Sequence, residues 1–243
     1  MCTLCQQTSG RVSRRTFGLF AMSSAALLLA SGADAKEKEK KAPPKPENQL
    51  SPDAALKRLL KGNERYVEGV TRRHDFQRER EALVGGQNPY AAILSCADSR
   101  IAPEYAFDSS RGDLFVCRVA GNFAADETIA SMEYAVAVLH TPLILVLGHE
   151  SCGAVDAAIK SIRDDKPLPG HMPSLVQAIA PAVKTVSSQG GDVLNKAIRQ
   201  NVIDNVAKLK SSSPILDAAV NDKKIQVVGG IYRLGSGKVE LVK

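Results

Sequence analysis

Short apolar runs alternating with helix-like stretches constrain this chain more than any other feature. The runs lie at residues 90–95, 114–119, 142–147 and 225–231, and helical patterning fills 126–139, 154–162, 174–186 and 193–210 between them. That alternation is the signature of a mostly parallel sheet covered by helices. Residues 238–242 follow Gly235-Ser236-Gly237 and suit a short antiparallel edge strand. The predicted fold is therefore α/β: a mostly parallel central sheet of about four strands plus an antiparallel edge strand, with helices on both faces.

The folded body starts near residue 50. Ser51-Pro52-Asp53 combines a capping hydroxyl, a proline at the first helical position and an acid in the first turn, and Leu56, Leu59, Leu60 and Tyr66 give the following helix one apolar face. Residues 50–243 form one domain, a size that supports a single packed core. Ahead of it, residues 36–49 are charged, contain proline and lack large apolar groups, so they read as a disordered spacer.

Residues 1–35 read as an export signal peptide. Ser13-Arg14-Arg15-Thr16-Phe17 precedes an apolar run at 18–30, which Ala33-Asp34-Ala35 closes as a cleavage site. The run is shorter than the ~20 residues a membrane-spanning helix needs, so no permanent membrane anchor remains after cleavage. The Arg14-Arg15 pair resembles the twin-arginine signal of bacteria, which carries folded proteins and implies a periplasmic or secreted product.

Export changes the meaning of the cysteines. Cys2 and Cys5 leave with the leader, and Cys96, Cys117 and Cys152 remain. An odd number without a C-x-x-C pair argues against a disulfide framework and for metal ligation. The net charge of +6 also needs locating: outside residues 1–47 the chain holds 24 basic and 22 acidic residues. With no basic stripe, no Trp and few aromatics, nucleic-acid binding is excluded.

In an open parallel sheet, chemistry gathers beyond the carboxyl ends of the strands. The first run closes with Cys96-Ala97-Asp98-Ser99-Arg100 and the third with Gly148-His149-Glu150-Ser151-Cys152-Gly153. If those strands are neighbours, two thiolates and one imidazole converge on one ion. His149 and Cys152 are three apart at a strand-to-helix turn and can face one point, and a helix N-terminus favours the Cys152 thiolate. Two sulfurs and an imidazole select zinc, one ion per chain.

Other candidates fail. Cys117 lies inside the second apolar run and reads as an inert core thiol, and His140 is nine residues from His149, a separation of ~30 Å along a strand. Three ligands leave a position for water, as a catalytic zinc requires. Asp98 is a possible fourth ligand, yet Arg100, two residues on along an extended chain, can pair with it. Asp98 then either blocks the metal or is held off it.

These residues resemble the β-class carbonic anhydrases over nearly all of the body. The matching stretches are Cys96-Ala-Asp-Ser-Arg100, the segment Gly112-Asp-Leu-Phe-Val-Cys-Arg-Val-Ala-Gly-Asn122, Ser131-Met-Glu-Tyr-Ala-Val136 and Gly148-His-Glu-Ser-Cys-Gly-Ala-Val155. The resemblance implies zinc on Cys96, His149 and Cys152, a catalytic dyad of Asp98 and Arg100, and a substrate pocket lined by Gln87, Phe115, Tyr134 and Gly153. It also implies a homodimer or tetramer, with the helix from Ser51 as the candidate arm. Val119 departs from the Asn often found there, and a chain without Trp cannot build the Trp-containing regulatory bicarbonate pocket of some relatives.

The activity so implied is reversible hydration of carbon dioxide to bicarbonate and a proton, in which zinc lowers the pKa of bound water to give the attacking hydroxide. Two alternatives share the same ligands. One is a carbonyl sulfide or carbon disulfide hydrolase, and the other a non-catalytic zinc or thiol sensor with Asp98 as permanent fourth ligand.

Overall fold

The computed structural model of the chain describes residues 50–242. The predicted signal peptide and spacer lie outside the described residues. Five strands form one sheet: β1 (Ala91–Ser95), β2 (Leu114–Arg118), β3 (Leu143–His149), β4 (Gln226–Tyr232) and β5 (Val239–Val242). Their order is β2-β1-β3-β4-β5; the first three pairings are parallel and β5 runs antiparallel to β4. The predicted sheet of four parallel strands and an antiparallel edge is the one observed.

Every residue of β1 and β3 is buried, because helices cover both faces of the sheet centre. On one face Ala92, Leu94, Cys96, Ile144 and Val146 pack under α4 (Asp126–Ala137), α5 (Gly153–Arg163), α6 (Pro173–Val186), α7 (Val193–Ser211) and α8 (Pro214–Asn221). On the other, Ala91, Ile93, Leu143, Leu145 and Leu147 meet α1 (Pro52–Val67) and the single turn α3 (Pro103–Ala106). Two-residue periodicity divides each strand's side chains between two cores and sends Cys96 into the larger. β2 has one strand neighbour and is half-buried, Cys117 included.

The α1 start is as read: the Ser51 hydroxyl accepts the Ala54 N–H at 3.3 Å, with Pro52 in the first turn. Its apolar face is shifted, however. Ala55 and Leu59 are fully buried, whereas Tyr66 is 38% exposed, because α1 crosses α3 closely at Gly62 and turns its last residues outward. Asn63 staples the crossing: its Nδ2 donates to the Ala106 and Gly237 carbonyls and its Oδ1 accepts the Val239 N–H, all at 2.8 Å.

Three helices were not read from the sequence. α2 (Phe76–Leu83) buries no residue, so it has no apolar stripe to detect, and α3 is one turn long. α8 did carry a signal, since Ser213 accepts the Leu216 N–H at 3.2 Å and Pro214 fills the first helical position. No helix among the described residues is long and apolar enough to cross a membrane.

Candidate metal centre

The β1–β3 pairing is the step that builds the site. Ser95 lies opposite Leu147 in parallel register, so the chain leaves both strands at the same edge of the sheet. Cys96 follows β1, His149 ends β3, and Cys152 is the N-cap of α5. The chain turns between His149 and α5 within three residues, which Ser151 allows by taking a left-handed conformation at φ 54°.

The ligand atoms of Cys96, His149 and Cys152 lie within 4.8 Å of one another, and all three residues are buried. The two sulfurs are 4.0 Å apart. His149 Nδ1 lies 2.9 Å from the Glu150 carbonyl oxygen, which can only accept, so Nδ1 carries the proton and Nε2 keeps its lone pair. That Nε2 is buried and has no hydrogen-bond partner. A buried, unsatisfied acceptor facing two sulfurs is costly unless a cation accepts all three.

The thiols carry the same message. Cys96 is held down to about 4, first by the hydrogen bond from Cys152, then against burial by His149 and the Gly121 N–H. Cys152 is pushed up, first by Cys96 and then by burial. The pair thus shares one proton, because two bare thiolates at this distance repel. A divalent cation between them removes the repulsion and the need for that proton. The donor set therefore fits a zinc ion, with sulfur, sulfur and imidazole nitrogen as ligands.

Asp98 stands beside this cluster without joining it. Its Oδ1 accepts from the Arg100 backbone N–H and Nε, both at 2.9 Å, and its Oδ2 from Arg100 Nη2 at 2.7 Å. The Arg100 side chain holds the Asp98 carboxyl well below the usual carboxylate range. Asp98 Oδ2 remains 3.9 Å from His149 Nε2, and Arg100 Nη2 also donates to the Ser151 carbonyl at 3.3 Å, tying the two loops together.

Of the predicted pocket residues, the single chain brings only Gly153 to the cluster. It is exposed, and a side chain there would meet open space. Phe115 pairs with Ala92, four residues before Cys96 and so about 13 Å down the strand. Tyr134 on α4 stays with it, ring centroids 6.2 Å apart, and is 46% exposed. Gln87 lies in the exposed loop before β1, the strand at whose other end Cys96 sits. Parallel strands carry residues near their amino ends away from the edge that holds the cluster.

Arg118 had been given no role. From the end of β2 its guanidinium donates to the carbonyls of Cys96 at 3.0 Å, Asp98 at 2.7 Å and Ile101 at 2.8 Å, shaping the loop that presents Asp98 and Arg100. A cavity of about 600 Å³ among Tyr66, Val70, His74, Phe76 and Tyr105 shares no residue with the metal cluster.

Known proteins resemble the chain in both sequence and fold. Residues 91–239 match the family model described as carbonic anhydrase. Carbonic anhydrase 2 of Mycobacterium tuberculosis is 39% identical over 193 residues, covering 79% of this chain and 93% of the relative. A Coccomyxa β-carbonic anhydrase, solved with acetazolamide, superposes with a TM-score of 0.61 at 26% identity, over 77% of this chain and 86% of that one. A tetrameric β-carbonic anhydrase from Sordaria macrospora gives 0.59 at 25% identity, over 70% and 86%.

Proposed function

The chain belongs to the β-class carbonic anhydrase family, and from that premise we propose that it hydrates carbon dioxide reversibly to bicarbonate and a proton at a zinc ion held by Cys96, His149 and Cys152. The observation that carries the reading is the buried Nε2 of His149, without a hydrogen-bond partner, beside two sulfurs 4.0 Å apart. Zinc held there supplies Lewis acidity, which makes water a nucleophile near neutral pH.

The protein's own groups do the rest. Asp98, kept ionised by Arg100, can only accept hydrogen bonds, so a water on the open side of the site donates to Asp98 Oδ2 and is thereby oriented. Arg100 keeps both carboxylate oxygens engaged, so Asp98 does not take the water's place. Gly153 leaves room beside Cys152 for a small apolar substrate. The sensor alternative needs Asp98 as a ligand, which its bidentate pairing with Arg100 opposes.

Gln87, Phe115 and Tyr134 are read as lining the pocket of a second copy, since Tyr134 is exposed and all three sit far from their own cluster. The tetrameric Sordaria relative supports an oligomer. Export by the Arg14-Arg15 signal to the periplasm or beyond is part of the same proposal, supported by the leader's sequence.

A carbon dioxide hydration assay on the chain lacking residues 1–35, with zinc measured on the same sample, tests the function. One zinc per chain with turnover is expected, and metal-free protein, or turnover of carbonyl sulfide alone, refutes it. Mixing Cys152→Ser with Tyr134→Ala chains tests the shared pocket: hybrid oligomers should recover activity that neither parent shows.

A further inference from the structure

Cys96 Sγ accepts one backbone hydrogen bond from outside its own loop, from the Gly121 N–H at 3.3 Å. Gly121 and Asn122 are both left-handed, at φ 86° and 42°. A side chain at Gly121 would be strained at this φ, and its Cβ would press on Ile179 Cδ1 at 2.6 Å. Asn122, a non-glycine in that region, is kept there by the contacts around the turn.

Those contacts come from one face of α7. Asn201 Nδ2 donates to the Gly121 carbonyl at 2.8 Å, Asn205 Oδ1 accepts the Ala124 N–H at 2.6 Å, and Lys208 Nζ donates to the Ala124 carbonyl at 2.6 Å. Asn205 Nδ2 joins the pair by donating to Asn201 Oδ1 at 3.1 Å. Both amide orientations are forced, because the Gly121 carbonyl can only accept and the Ala124 N–H can only donate. The asparagines are 2% and 6% exposed, among the buried apolar residues Ile198, Val202 and Leu209. Positions 201, 205 and 208 fall on one helical face, directed at one loop.

We propose that Asn201, braced by Asn205 and Lys208, is a positioning residue of the metal centre, holding the Gly121 N–H against the Cys96 sulfur and so setting how strongly that sulfur donates to the ion. The proposal rests on the zinc reading above and deepens it. A hydrogen bond to a thiolate draws electron density from sulfur and weakens it as a donor. With two thiolates offsetting the charge of a divalent ion, this N–H preserves Lewis acidity that the ligands would otherwise remove.

Cobalt(II) is the probe, because its thiolate-to-metal charge-transfer absorption reports the electron density on sulfur. Asn201→Asp keeps the side-chain shape and removes the donor, and Asn201→Ala removes the contact altogether. In both, the charge-transfer band should move to lower energy than in the parent, because the sulfur regains the electron density that the N–H had drawn. Lys208→Met, at an exposed position that spares the buried amides, should shift the band the same way by less. Folded Asn201 variants whose band matches the parent's overturn the proposal, whatever their turnover. If neither Asn201 variant folds, Lys208→Met decides, and an unshifted band there overturns it. A parent that binds cobalt without any thiolate band defeats the zinc reading itself, and this proposal with it.

Discussion

Gly62→Ala sets two effects of known sign against each other. Gly62 lies inside α1, where alanine is favoured over glycine by about 1 kcal/mol. Yet a Cβ at this position would stand 2.7 Å from the Phe107 carbonyl carbon and closer still to its oxygen. The obstacle is backbone and cannot rotate away, so α1 must withdraw by on the order of 1 Å, an overpacking strain of about 1–3 kcal/mol. Withdrawal also stretches the 2.8 Å bond from Asn63 to the Ala106 carbonyl past bonding distance, and a buried carbonyl left unpaired costs a further ~1–3 kcal/mol. Sterics should win, with a net loss of about 1–5 kcal/mol and a middle value of about 3 kcal/mol. For a urea slope of roughly 2 kcal/mol per M, the unfolding midpoint should fall by about 0.5–2.5 M. A midpoint equal to or above the parent's would mean that α1 yields at no cost and that the close crossing does not constrain the fold.

Other consequences follow from single contacts. Arg100→Ala should retain its metal while turnover falls roughly a hundredfold, since Asp98 loses its side-chain donors within reach of the ion's open side; stoichiometric zinc with full activity would remove the dyad from the mechanism. Cys152→Ser should purify with little zinc, because a hydroxyl is not ionised at neutral pH, and metal analysis of the folded protein checks this. Asp108 raises a matter of pH. Burial pushes its carboxyl up, but Arg65, the Thr71 hydroxyl and the Arg72 N–H together outweigh burial and leave it below its ordinary 3.8. A depressed acid stabilises the fold above its unfolded value, and that contribution disappears as pH falls below about 3.8 toward the folded value. Urea titrations from pH 6 to 3 should therefore show less acid-dependent loss in Asp108→Asn than in the parent, and equal slopes would contradict the assignment.

The legible parts of this protein are those in which one residue type has one use. Cys96, His149 and Cys152 could be assigned to an ion because soft donors at the ends of apolar runs have few other roles, and their meeting required only that β1 and β3 be neighbours. Asp98 and Arg100 were readable because their pairing is local, two residues apart. The sheet was readable because strands buried on both faces are uniformly apolar. α2 was not, because it buries nothing. Arg118 and the α7 asparagines were missed for a different reason: their partners are backbone carbonyls and N–H groups, which every residue carries, so no sequence pattern marks them.

That division separates the metal site into parts of different origin. The ligands are fixed by chemistry and sit at strand ends, where topology alone brings them together. Their tuning is fixed by packing, through side chains 17 to 80 residues from the loops they hold. Arg118 takes three carbonyls of the loop carrying Asp98, and Asn201 takes the carbonyl of the residue that donates to Cys96. Each acts on a ligand loop through the main chain, so replacing either should leave the ligand set intact and change its properties. Gln87, Phe115 and Tyr134 lie elsewhere, in the loop before β1, near the start of β2 and on α4, all away from the edge that carries the ligands and their supports.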